Sequence, residues 1–114
     1  MKKITNHKIL DFKPNKIIYG FYYCNDKIVK YSKNGDMYLD VSLSDDKSSI
    51  YAKIWRHSDY FNRKFSIESF VAVKGKVVKY RERLELNVFN INTVDSELYN
   101  RYGFKDFHWI LFID

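Results

Sequence analysis

The sequence has one cysteine, one proline and four widely separated glycines among 114 residues. Cys24 has no partner for an internal disulfide, which suits a reducing compartment. It reads as a small buried apolar residue. The scattered glycines form no phosphate-cradling loop. No apolar run approaches the roughly 18 residues of a membrane-spanning helix. The opening MKKITNHKILDF lacks the apolar stretch of a signal peptide. A cytoplasmic protein with no membrane contact is therefore expected. His7, His57 and His108 show no metal-ligand spacing, and Cys24 has no zinc partner. Asp45-Asp46 is a carboxylate pair, but it opens the polar stretch DDKSS, where an aspartate bonds the next backbone amides of a turn. No metal, no cofactor and no catalytic group are expected, so the chain reads as a non-enzyme.

Charge and aromatic rings are what it does have. The net charge is +6, and 18% of the residues are aromatic. The 46% hydrophobic fraction is that of a globular protein. The length suits one domain that can bury a core without disulfides or metals. A basic balance is the electrostatic footprint of a nucleic-acid binder. Lys, Asn, Ile, Tyr and Phe are also what AT-rich codons specify, so charge and rings carry information only through their placement.

Ile17–Tyr31, IIYGFYYCNDKIVKY, is β-branched and aromatic, as a long strand should be. Gly20 and Asn25-Asp26 suggest a bend or bulge in it. Asn34-Gly35 is a hairpin turn. In MYLDVSL, Met37, Leu39, Val41 and Leu43 share one side, with Tyr38, Asp40 and Ser42 on the other. Ile50, Ala52 and Ile54 face inward in a third strand. HSDYFNRKFSIESF loses the alternation, and Ser58 or Asp59 can cap a short helix there. Val71, Val73, Gly75 and Val77 face inward in a fourth strand, which puts Lys74, Lys76 and Lys79 near the outer side unless a bulge shifts the register. RERL then turns the chain into a fifth strand, LELNVFNI.

Three strands in a meander, a helical connection and a hairpin make an all-β domain with a short helix. This is the five-stranded Greek-key OB-fold barrel, with its helix between strands three and four. An SH3-like small barrel is the runner-up, and the helix favours the OB-fold. Residues 1–16 read as a loose N-terminal arm in which Ile9, Leu10 and Phe12 can pack, 17–94 as the OB-fold domain, and 95–114 as a short C-terminal helix (DSELYNRY) with an apolar tail (FHWILFID).

KNGDMYLDVSLSD, IYAKIW and FVAVKGKVVKYRERLEL, in that order and spacing, resemble OB-folds of the tRNA-anticodon/helicase type. They are most similar to the OB module ahead of the catalytic domain in YhaM-type 3′-to-5′ exoribonucleases. Two positions depart from that pattern: Ser48 stands at the usual turn glycine and Glu85 at the usual glutamine. Those exoribonucleases continue into a metal-dependent phosphohydrolase domain, whereas this sequence has no His-Asp pair. The resemblance thus implies a binding module rather than a nuclease, and a structural role for Asp45.

Strands two and three of an OB-fold receive single-stranded nucleic acid. Tyr38, Tyr51 and Trp55 should lie on that face, each ring a platform for a base. Lys53, between two rings, should meet a phosphate. Arg56, Lys74, Lys76, Arg81 and Arg83 extend a positive track, and Lys27, Lys30 and Lys33 approach it from the first hairpin. The other reading of these rings is a cross-strand cluster that stabilises a sheet without a ligand. In the tail, Phe107, Trp109, Ile110, Leu111 and Phe112 are too apolar to face water. They fold back over the barrel, pair with a second copy, or dock on another protein. The expected function is a single-stranded DNA- or RNA-binding accessory subunit, with DNA favoured, serving a polymerase, primase, helicase or nuclease. The alternative is an interaction or oligomerisation subunit whose barrel binds no nucleic acid.

Overall fold

The computed structural model describes residues 7–94. The expected C-terminal helix and the apolar tail, including Phe107, Trp109, Ile110, Leu111 and Phe112, lie outside the described residues. Five strands and one helix follow in order: β1 (Ile17–Tyr31), β2 (Met37–Ser44), β3 (Ser49–Ile54), α1 (Ser58–Asn62), β4 (Ser69–Tyr80) and β5 (Arg83–Thr93). The strands close into a barrel in the order β1-β2-β3-β5-β4. Every pairing is antiparallel except β3 with β5. This is the expected OB-fold.

β1 is long because it serves two neighbours. Its first half, from Ile17 to Cys24, pairs with β4, and its second, from Tyr23 to Tyr31, pairs with β2. A register shift between Cys24 and Asp26 bends the strand between these partners. The bulged Asn25 donates its side-chain amide to the Ser42 and Ser44 hydroxyls at 3.4 and 3.1 Å. The bend thus sits at Asn25-Asp26, whereas Gly20 pairs in regular register with Val73.

Alternation, interrupted in β5 by a bulge, builds the inner wall. Leu39, Val41 and Leu43 of β2, Ile50, Ala52 and Ile54 of β3, and Val71, Val73 and Val77 of β4 are buried. Leu86, Val88 and Ile91 of β5 complete the wall. Each large side chain among them contributes roughly 1.5–3 kcal/mol on burial. Cys24 is fully enclosed, and burial pushes its thiol up to about 11, so it packs as an apolar residue and resists ionisation.

The segment from His7 to Lys16 is anchored at Ile9 and Phe12, and its other residues are exposed. A 3-10 turn at Ile9–Asp11 places Ile9 and Phe12 in the core and leaves Leu10 exposed. Phe12 meets Tyr22 edge-on at 6.2 Å, and the Tyr22 hydroxyl donates to the His7 carbonyl at 2.6 Å. The Asp45 carboxylate accepts from the amides of Lys47 and Ser48, and its other oxygen accepts from the Ile9 amide at 2.8 Å. One aspartate therefore closes the β2–β3 turn and pins the arm across the barrel end.

The helix is capped differently from expectation. His57, in the left-handed region at φ 56°, is the N-cap, and neither Ser58 nor Asp59 caps with its side chain. The Ser58 hydroxyl is buried and donates instead to the Met37 carbonyl at 2.9 Å, which ties α1 to β2. At the other end the Lys27 ammonium donates to the carbonyls of Asn62 and Phe65 at 2.9 and 2.7 Å and lies over the Phe65 ring. Burial lowers its pKa. A cation on helix C-terminal carbonyls is favourable, and Lys27 is thereby removed from any role in the first hairpin's positive approach.

Gly75 of β4 lies tight against β5. A Cβ there would sit 2.6 Å from the Asn87 carbonyl oxygen and 3.1 Å from Leu86 Cγ. Gly75→Ala is expected to cost about 1–3 kcal/mol of stability by overpacking, read from the urea midpoint. An unchanged midpoint would show that the strands separate freely there.

Candidate nucleic-acid interface

Residues that alternate out of the core form the outer wall of β2 and β3. Leu39 opposes Ile54 and Asp40 opposes Lys53, so Tyr38 and Trp55 are next in line. Their rings stack at 4.3 Å between centroids with 25° between planes, an arrangement that contributes about 0.5–1.5 kcal/mol. Stacking leaves Tyr38 half-buried, whereas Trp55 is 46% and Tyr51 50% exposed. The three rings expected on one outward face are there. Trp55 lies just past the end of β3, which stops at Ile54.

Tyr38, Tyr51 and Lys53 floor a groove of about 460 Å³. Tyr80, Arg83 and Glu85, from the β4–β5 hairpin, form one wall, and Asp26, Ile28 and Lys30 of β1 form the other. Sequence reasoning missed Tyr80 as a lining ring. Its only signal was its place at the mouth of the RERL turn.

The cations of this groove are already engaged. Lys53 Nζ lies 3.2 Å from the Glu85 carboxylate and 4.8 Å from the Tyr80 ring centroid. Arg83 reaches the other Glu85 oxygen at 3.8 Å and lies over the Tyr51 ring at 5.0 Å. Lys30 donates to Asp40 at 2.8 Å, a contact that raises its pKa. Glu85 is 4% exposed although it sits on the outer side of the sheet. The lysine expected to meet a phosphate is thus a counter-ion to a buried carboxylate.

The remaining expected cations are spread. Arg56 borders a second groove with Trp55, His57 and Phe89, while Lys33 is exposed in the β1–β2 turn. Arg81 occupies the β4–β5 turn at φ 57° with its guanidinium over Tyr80. Lys76 pairs with Ile17 and Asn87, and Lys74 lies over Tyr19 at 5.4 Å. These two do not line the main groove. Lys33, Arg56 and Arg81 make no ion pair with another described residue. Among the described residues no cluster of three or more His, Cys, Asp or Glu side chains could hold a metal, and no helix is long and apolar enough to cross a membrane.

The OB-fold nucleic acid binding domain of the tRNA anti-codon family matches residues 25–94, and the chain belongs to that family. Solved structures agree on the fold. The second OB-fold domain of replication protein A from Methanococcus maripaludis is 24% identical, with a TM-score of 0.61 over 82% of this chain and 99% of that one. A crystal structure of a domain of the same replication protein A is 22% identical, with a TM-score of 0.66 over 79% and 96%. The mitochondrial single-stranded DNA binding protein of S. cerevisiae is 15% identical, with a TM-score of 0.59 over 70% and 96%.

Lys53→Met would leave Glu85 with Arg83 alone. The expected loss is about 2–3 kcal/mol of stability, below the roughly 3–5 of a fully enclosed pair because Lys53 keeps some solvent contact. Lys53→Met combined with Glu85→Gln should recover more than half of it in urea unfolding. A wild-type midpoint for Lys53→Met would show that the pair contributes nothing.

Proposed function

We propose that this chain is a non-catalytic binder of single-stranded nucleic acid, with DNA preferred over RNA. In this reading residues 17–94 are the binding module, and the protein acts as a small accessory subunit beside a polymerase, primase, helicase or nuclease. The observation that carries it is the run of outward rings along one groove, Tyr51 and Tyr38 on the floor and Tyr80 on the wall. Successive bases stack on such rings at about 1–3 kcal/mol each, with little regard for sequence. The DNA preference draws support from the similar structures named for replication protein A and for single-stranded DNA binding.

The charge pairing changes how binding should respond to salt. Lys30 and Lys53 are neutralised in place by Asp40 and Glu85, and Arg83 shares Glu85 at 3.8 Å, so phosphates meet mainly Lys33, Arg56 and Arg81, which have no ion-pair partner among the described residues. Neutralising two or three phosphates of a single strand gives a slope of about −1.4 to −2 in log K against log salt. Rings, not cations, carry most of the affinity. A second reading rests on the same pairing: a groove with no spare cation on its floor could serve a protein partner instead, and the barrel would then bind no oligonucleotide.

Fluorescence anisotropy of labelled dT and U oligonucleotides at several salt concentrations separates these readings. Tyr51→Ala with Trp55→Ala is expected to weaken binding about 30-fold or more, as two lost stacking platforms require. Unchanged affinity in that double variant would exclude the outer wall as the site. Equal affinity for dT and U would remove the DNA preference. Glu85→Gln frees Lys53 for a phosphate, and should raise affinity several-fold and steepen the slope by about 0.7. An unaltered slope would mean that Lys53 never reaches the strand.

A further inference from the structure

The parallel pairing of β3 with β5 covers only Ala52 with Leu86 and Lys53 with Asn87. Continued for two more residues, it would bring Trp55 alongside Phe89. It does not continue, because β3 ends at Ile54 and the chain turns away through the left-handed His57 into α1. β5 diverges at the same level. Lys74 pairs with Asn90 and Gly75 with Val88, so Phe89 is the extra residue of a bulge. Bulges re-aim side chains and recur beside functional sites. Here the bulged Phe89 is 47% exposed, large for a phenylalanine on a strand.

Between the parting strands lies a second groove of about 360 Å³, lined by Trp55, Arg56, His57, Asn87, Val88 and Phe89. It meets the main groove at the stacked pair, since Tyr38 lines one and Trp55 the other. Arg56 stands at its edge with no carboxylate partner among the described residues. An apolar ring on a bulge, a tryptophan facing it across a splayed seam, and a guanidinium at the rim suit a flat aromatic group attached to a phosphate.

We infer that this second groove holds a further nucleobase of the bound strand, stacked on Phe89, with its phosphate on Arg56. The inference rests on the proposed binding of single strands and extends the path beyond the β2–β3 face, over the Tyr38–Trp55 pair and across the end of the seam. A strand that fills both grooves passes Tyr51, Tyr38, Trp55 and Phe89 in turn.

Anisotropy with a labelled dT12 tests it. Phe89→Ala and Phe89→Leu should each weaken binding about fivefold or more, the scale of one lost base stack, while Phe89→Tyr should bind like the wild type. Phe89 is half exposed, and an unchanged thermal midpoint would establish that these variants keep the fold. Wild-type affinity for both Phe89→Ala and Phe89→Leu, in a protein that Tyr51→Ala still weakens, would overturn the second groove and leave the main one standing. A weakening by Phe89→Leu that Phe89→Tyr shares would also overturn it, since the ring face would then be irrelevant. No binding by the wild type would overturn both.

Discussion

The barrel is closed by its shortest seam. Four of its five contacts are antiparallel runs, but β3 meets β5 through two parallel residue pairs. A seam that short has few backbone hydrogen bonds, so side chains must help hold it. Lys53 on β3 and Glu85 on β5 clamp it from outside, and Ile54 and Leu86 pack beneath it. Gly75 lets β4 press against Leu86 and Asn87 of the same seam. Burying Glu85 is costly unless the charge is paired, which is why a lysine on an open face is committed to structure.

That commitment shapes the surface around it. Lys53 and Arg83 share Glu85, Lys30 holds Asp40, and Asp26 also lines the groove, so three cations face three carboxylates beneath exposed rings. The rings keep their cations close as well: Arg83 over Tyr51, Lys53 over Tyr80 and Arg81 over Tyr80. Such contacts add to the sheet's stability and hold the ring planes in place. Under the proposed function, rings ordered in advance would lower the entropic cost of stacking a base. The seam's early end also divides the outer wall into two grooves with the Tyr38–Trp55 stack between them.

The strands, the Asn25-Asp26 bend, the turn role of Asp45 and the outward parity of Tyr38, Tyr51 and Trp55 were legible in the sequence, because period-two alternation reports which side of a strand meets the core. Ion pairing was not legible. Lys53 and Glu85 are far apart in sequence and meet only through the parallel register, which hydrophobic pattern does not specify. The helix cap was misread for a related reason: Ser58 has the right chemistry for a cap, but tertiary contact with Met37 claims its hydroxyl. The arm's anchor was not legible either, because Asp45 lies 36 residues from Ile9. Phe89 did leave a trace. Leu86 and Val88 alternate, then Ile91 follows three residues later, and that slip of phase marks the bulge.

The binding face can be located directly by following backbone amide and Trp55 indole resonances of the whole chain while single-stranded dT12 is added. Shifts that concentrate at Tyr38, Tyr51, Trp55, Tyr80 and Arg83, on the outer wall beside the seam, are the expected result. Shifts confined to the β1–β4 side around Tyr19 and Lys74, or none at saturating oligonucleotide, would contradict the assignment of that wall to nucleic acid.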